Sequence, residues 1–130
     1  MSTRRIKVAE ATGPVLDHLV HATLGLRYRY DFKYGPMYFM PSPTGRLAGW
    51  ESSPPLYSTD WAQGGPIIER ERITLRVSTM PGIDWVAFYD VPGEYHARIR
   101  EKGPTALIAA MRCYVASRLG AEVEVPEELL

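Results

Sequence analysis

The chain has a single cysteine among its 130 residues. That excludes an intrachain disulfide and a cysteine-rich zinc cage, and it fits a reducing compartment. Net charge is also missing, because 15 basic residues balance 15 acidic ones. A duplex-DNA binder neutralises several phosphates with basic side chains, so the balance disfavours nucleic acid as a partner while leaving room for a local basic patch. No apolar run is long enough to cross a bilayer, and no secretory apolar segment follows the basic start Arg4-Arg5-Ile6-Lys7. There is no internal repeat and no long low-complexity segment. These absences predict a soluble, cytoplasmic protein with no membrane partner. Its length is that of one domain, residues 1–130, able to bury a core without staples.

What the chain does have is 11 prolines, 11 glycines and 8 tyrosines. Its clearest element runs from Gly103-Pro104 to Gly120. Pro104 suits a first helical turn and Gly120 a left-handed stop. Leu107, Ile108, Met111, Val115 and Leu119 share one face at helical spacing. The opposite face carries the small residues Ala109, Cys113 and Ala116, so the helix is expected to be covered on more than one side. A second helix is expected from Thr12-Gly13-Pro14 to Leu24, packing through Val15, Leu16, Leu19, Ala22 and Thr23. Asp17, His18 and His21 fall away from that face and read as solvated.

Strict alternation from Arg27 to Tyr34 predicts a strand, with Tyr28, Tyr30, Phe32 and Tyr34 packed on the helices and Arg27, Arg29, Asp31 and Lys33 toward solvent. Residues 35–66 read as a long loop interrupted by Pro36, Pro41, Pro43, Pro54 and Pro55, with tight turns at Pro43-Thr44-Gly45 and Leu47-Ala48-Gly49. Its aromatic content makes it a candidate binding surface. Gly64-Gly65-Pro66 is expected to open a short helical turn through Arg72, the alternative being a strand that begins at Ile67 and Ile68. Strands are expected at Ile73–Val77, Trp85–Tyr89 and Tyr95–Ile99, with an edge strand near Ala121–Val125. The fold class is therefore α+β: two main helices packed on a small antiparallel or mixed sheet, with a long Pro/Gly/aromatic-rich loop.

No group of residues announces a reaction. Asp60 and Trp61, followed by Gly64 and Gly65, could form a small-ligand site: glycines expose backbone donors, the indole offers a flat face and the carboxylate accepts hydrogen bonds. The same residues could equally be a turn cap, a core plug and a helix start. Gly64-Gly65-Pro66 lacks the spacing and lysine of a phosphate loop. His18 and His21 lack a committed third ligand, so no metal and no cofactor are expected. Cys113, in mid-helix among alanines, reads as a packed, inert thiol. Glu69-Arg70-Glu71-Arg72 reads as a self-neutralising surface. The arginine and tyrosine alternation from Arg27 resembles single-strand recognition, but a strand would put rings and charges on opposite faces.

Two blocks resemble a known family: Ser58-Thr59-Asp60-Trp61-Ala62-Gln63-Gly64-Gly65-Pro66-Ile67-Ile68-Glu69-Arg70-Glu71, and Pro104 through Pro126. They are similar to the small bacteriophage family called NinX-like, a phage and prophage domain of unknown function. The opening Lys7-Val8-Ala9-Glu10-Ala11-Thr12-Gly13-Pro14-Val15-Leu16-Asp17 is similar to that family's first helix, with Ala11 and Pro14 departing from its usual Leu and Ala. Arg27–Leu56 and Thr79–Glu101 resemble it little. The resemblance implies action in a bacterial host cytoplasm and no established reaction. It points to Asp60, Trp61, Gly64, Gly65 and Glu69, with Arg112 beside them, as the shared surface. The expected function is a non-enzymatic accessory protein that binds a host or phage protein; homo-oligomer formation is compatible with it. The alternatives are a small-ligand-binding protein or enzyme using the same residues, and a single-strand nucleic-acid module.

Overall fold

The computed structural model describes residues 2–40, 49–94 and 97–130. The expected turn at Pro43-Thr44-Gly45, and Tyr95 and His96 of an expected strand, lie outside those residues.

Among the described residues three α-helices form rather than two. The first, α1 (Gly13–Thr23), follows the extended Thr12 and carries Pro14 in its first turn. Gly25 follows it at a φ of 80°, a left-handed conformation that glycine adopts without strain. The third, α3 (Ala106–Leu119), is capped by the Thr105 hydroxyl, which accepts from the Ile108 N–H at 3.1 Å. Between them, α2 (Trp61–Glu71) starts three residues before the expected Gly64. Asp60 explains the difference: its carboxylate accepts from the Ala62 N–H at 2.9 Å, and its carbonyl accepts from Gln63 and Gly64. A capped first turn therefore takes both glycines and Pro66 into the helix.

One small sheet was expected, and three separate antiparallel sheets are found among the described residues. Strand β1 (Thr3–Lys7) pairs with β8 (Glu122–Pro126). Strands β2 (Tyr28–Asp31), β3 (Gly35–Met40) and β4 (Gly49–Glu51) form the second sheet, in that order. Strands β5 (Thr74–Val77), β6 (Trp85–Asp90) and β7 (Arg98–Gly103) form the third. The expected loop thus contributes two strands, because Pro36 needs no ladder donor at the start of β3. The expected strand from Arg27 to Tyr34 ends at Asp31. The Asp31 carboxylate accepts the N–H groups of Lys33 and Tyr34 at 2.8 and 2.9 Å, and Gly35 takes a positive φ, so the chain reverses. Phe32 and Tyr34 consequently sit exposed at a hairpin tip instead of packing on a helix.

The core centres on α3. Residues 106–115 of this helix are buried except for the half-buried Ile108, so these turns are covered on all sides as the small face suggested, while Leu119, expected on the packing face, is exposed because the last turn runs past the core. That small face meets the third sheet: a Cβ at Gly103 would lie 2.8 Å from the Ala109 nitrogen, and the Cys113 thiol points to the Ile99 carbonyl at 3.7 Å. Leu16, Leu19 and Val20 of α1, Ile67 of α2, Ala87 and Tyr89 of β6, and Val123 and Val125 of β8 complete the cluster. At about 25 cal/mol per Å² of apolar surface removed from water, this burial is the main stabilising contribution.

Candidate functional site

The starts of α2 and α3 lie side by side because Gly64 lets them. A Cβ at Gly64 would collide with the Tyr57 carbonyl oxygen and lie 2.7 Å from Leu107 Cδ2. The start of α2 is further fixed by Gln63, whose side chain accepts from the Leu56 N–H at 2.8 Å and donates to Asp60 at 3.2 Å. Next to this junction lies an open cleft of about 420 Å³. Trp61 and Trp85 flank it, Ser58 lines it, and Thr105, Ala106 and Leu107 bring the first turn of α3 to it. Trp61 is 56 % exposed, a large apolar surface left in solvent. Thr105 caps the Ile108 N–H, and the Ala106 and Leu107 amides of the same turn have no intrahelical acceptor.

The sequence-derived candidates are distributed as follows. Asp60, Trp61, Gly64 and Gly65 gather at the start of α2, with Trp61 on the cleft. Asp60 acts as a cap, Gly64 as a packing residue, and Gly65 lies under the Trp61 ring. Glu69 is exposed further along α2. Arg112 is elsewhere and buried: its Nε donates to the Ala11 carbonyl at 2.8 Å and its Nη1 to the Lys102 carbonyl at 2.9 Å, tying α3 to the approach to α1 and to β7. Burial lowers its pKa, which the nearby Glu101 partly offsets. The Glu69–Arg72 run is also less solvated than expected. Glu71 is largely covered and pairs with Arg70 and with Arg118, which in turn donates to the Tyr89 hydroxyl at 3.1 Å.

Behind the cleft runs a buried polar seam that the helical reading missed. Asp17, His18 and His21 are buried, not solvated. Asp17 accepts the Ser58 N–H at 2.8 Å. Desolvation raises its pKa, while the Ser58 backbone bond and nearby hydroxyl pull it down. That hydroxyl is itself buried and without a partner of normal hydrogen-bond geometry. His21 lies between the Tyr57 hydroxyl at 3.1 Å and the Arg27 carbonyl at 3.2 Å. His18 faces the Tyr38 hydroxyl at 3.4 Å and the edge of Tyr28, whose own hydroxyl donates to Glu128 at 2.8 Å. Burial lowers the pKa of both histidines, to about 4 for His18, and pushes Tyr38 and Tyr57 up to about 12. At neutral pH the seam therefore holds neutral rings. A signal for it was present: α1 contains no Lys, Arg or Glu, so it offers little to solvent.

Cys113 is buried and its pKa is pushed up to about 12, chiefly by burial, so it stays a thiol at neutral pH. Among the described residues, no group of three or more His, Cys, Asp or Glu is placed to hold a metal. No helix of the described residues is long and apolar enough to cross a membrane. Arg27, just before β2, and Arg29 within it do not face solvent alone: Phe39 of β3 and Trp50 of β4 join them, with Arg27 4.6 Å from the Phe39 centroid and Arg29 4.5 Å from that of Trp50.

No curated protein matches the chain. The family model described as Bacteriophage P22, NinX, matches residues 7–118, so the chain belongs to that phage family of unknown function.

Proposed function

We propose that the protein is a non-enzymatic accessory protein of the host cytoplasm that binds a host or phage protein through the Trp61–Trp85 cleft. The supporting observation is the half-exposed Trp61 ring on the rim of an open cleft whose other wall is the first turn of α3. Aromatic anchors in such settings dominate interface energetics. A protruding side chain of the partner fits between the indoles, and its backbone carbonyls meet the free amides of the α3 turn. The non-enzymatic part of the reading rests on chemistry: the thiol is protonated and packed, and the histidines are buried in the seam.

A second reading has its own observation. Ser58 lines the same cleft beside the exposed Trp61, and an open pocket with an aromatic wall and a polar neighbour suits a small ligand. Native mass spectrometry of the protein isolated from phage-infected bacteria separates the two. A retained protein chain that is lost with Trp61→Ala supports the first reading, with about 30-fold weaker binding expected for an anchor worth about 2 kcal/mol. A retained small-molecule mass that is lost with Ser58→Ala supports the second. Retention unchanged by either substitution counts against the cleft.

A further inference from the structure

The outer face of the β5–β7 sheet is a different kind of surface from the cleft. Register fixes its membership: Arg76, Val86 and Lys102 lie in one cross-strand row, Thr74, Phe88 and Arg100 in the next, and Asp90 and Arg98 in the third. The alternate rows, containing Leu75, Ala87, Trp85 and Ile99, turn toward α3 and contribute to its core. The outer rows therefore hold four cations and one carboxylate, in a chain whose overall charge is zero. Asp90 is engaged by Arg98 at 2.8 Å. Among the described residues, Arg76, Arg100 and Lys102 have no carboxylate within ion-pair distance, and all three are exposed. Folding has segregated charge that composition averaged away.

The face also has apolar and stacking features. Arg76 and Arg98 lie over the Phe88 ring, at 5.1 and 5.2 Å from its centroid, so the ring holds two guanidinium groups on this face. The loop from Ser78 to Asp84 stands beside them. It is held by the Ser78 N–H to Asp84 carbonyl bond and by the Ile83 N–H to Met80 carbonyl bond, with Gly82 at a φ of 77°. Two adjoining grooves, of about 370 and 290 Å³, share Met80 and Arg100 as walls. Met80 is exposed between them.

We propose that this face binds single-stranded nucleic acid. Arg98, Arg100 and Lys102 present a cation at every second residue of β7, about 7 Å apart on one line, which follows one phosphate backbone. Arg76 stands two strands away, about 10 Å across. The groove between Arg76, Met80 and Arg100 takes an unstacked base against apolar and arginine side chains, and the smaller groove adds the Glu101 carboxylate as an acceptor for a base amino group. A duplex offers no splayed bases to such grooves, so the surface favours a single strand.

The test is fluorescence anisotropy of labelled 20-residue oligothymidylate with the full-length protein, across a salt series beginning at low ionic strength. Binding is expected to weaken with salt, with a log–log slope of about −2 to −3 for three to four phosphate contacts on a single strand. Arg100→Glu with Lys102→Glu is expected to weaken binding at least about tenfold at low salt. Arg4→Glu with Arg5→Glu, on β1, changes charge equally away from the face and is expected to leave binding within about twofold of the parent. Met80→Ala, which keeps all charges, is expected to weaken strand binding by about five- to tenfold through lost apolar contact without altering the salt slope. No binding at low salt, equal losses from both charge reversals, or tighter binding of a matched duplex would each overturn the proposal.

Discussion

The β5–β7 sheet meets its helix through close backbone approach, at Gly103 against Ala109 and Cys113 against Ile99. The β2–β4 sheet meets α1 through ring edges and hydrogen bonds, with Tyr38 against His18 and His21. In the first region stability comes from apolar area and small residues at the contact. In the second, polar groups have been taken from water, and each depends on its partner. The difference gives each region its own vulnerability: the first to added volume, the second to added protons.

The largest effect is expected where a second close backbone approach of the same kind, between α2 and α3, receives added volume. Gly64→Ala places a methyl against the Tyr57 carbonyl and Leu107, and should destabilise by about 3 kcal/mol or more in urea denaturation. Gly65→Ala is the matched control. Its Cβ would meet only Trp61 Cε3 at 3.8 Å, so it should stabilise by about 0.5–1 kcal/mol through helix propensity. Equal effects of the two would mean that the close packing of α2 on α3 is not what fixes the junction.

The polar side should respond to acid. His18 folds with a pKa lowered to about 4 from an ordinary 6.5, and His21 is lowered as well. Between those values the unfolded chain binds more protons than the folded one, so stability falls as pH falls from 6.5 toward 4. Asp17 acts in the opposite sense. Its raised pKa means that the folded state binds the extra proton above 3.8, and its contribution falls as pH rises toward the folded pKa. The histidines dominate above the Asp17 window. The His18 contribution is on the order of 2 kcal/mol after discounting for residual solvation. His18→Gln, whose amide can still meet the Tyr38 hydroxyl, should flatten the stability profile between pH 6.5 and 4. An unchanged profile in denaturant titrations would remove His18 as its source.

The smallest effect lies at the end of α2, where Arg72 holds a φ of 54°. Glycine adopts that conformation without the Cβ penalty, so Arg72→Gly should raise stability by about 0.5–1 kcal/mol, read as a small increase in Tm. A decrease would show that the arginine side chain contributes more than its backbone strain costs.

The α3 helix was legible because Pro104, Thr105 and Gly120 punctuate it and its small face announced close packing. The start of α1 was legible for similar local reasons. The gathering of Asp60, Trp61, Gly64 and Gly65 followed from their nearness in sequence, while Arg112 and Glu69 went elsewhere because chain separation carries no distance information. The alternation of Arg27–Tyr34 suggested a longer strand than exists, since the side-chain bonds of Asp31 outweighed the periodic pattern. Asp17, His18 and His21 were misplaced because a helical wheel assigns polar residues to solvent unless partners are known, and theirs come from β2, β3, the segment before α2 and the C-terminal residues.

By itself the sequence determined the extent of two helices, the family and the absence of a disulfide, all of which depend on residue type and local spacing. Only the tertiary structure decided the three separate sheets, the Trp61–Trp85 cleft, the buried polar seam and the cationic face of β5–β7. Each of those depends on which distant residues share a row or a contact, and register between strands and packing between helices set that.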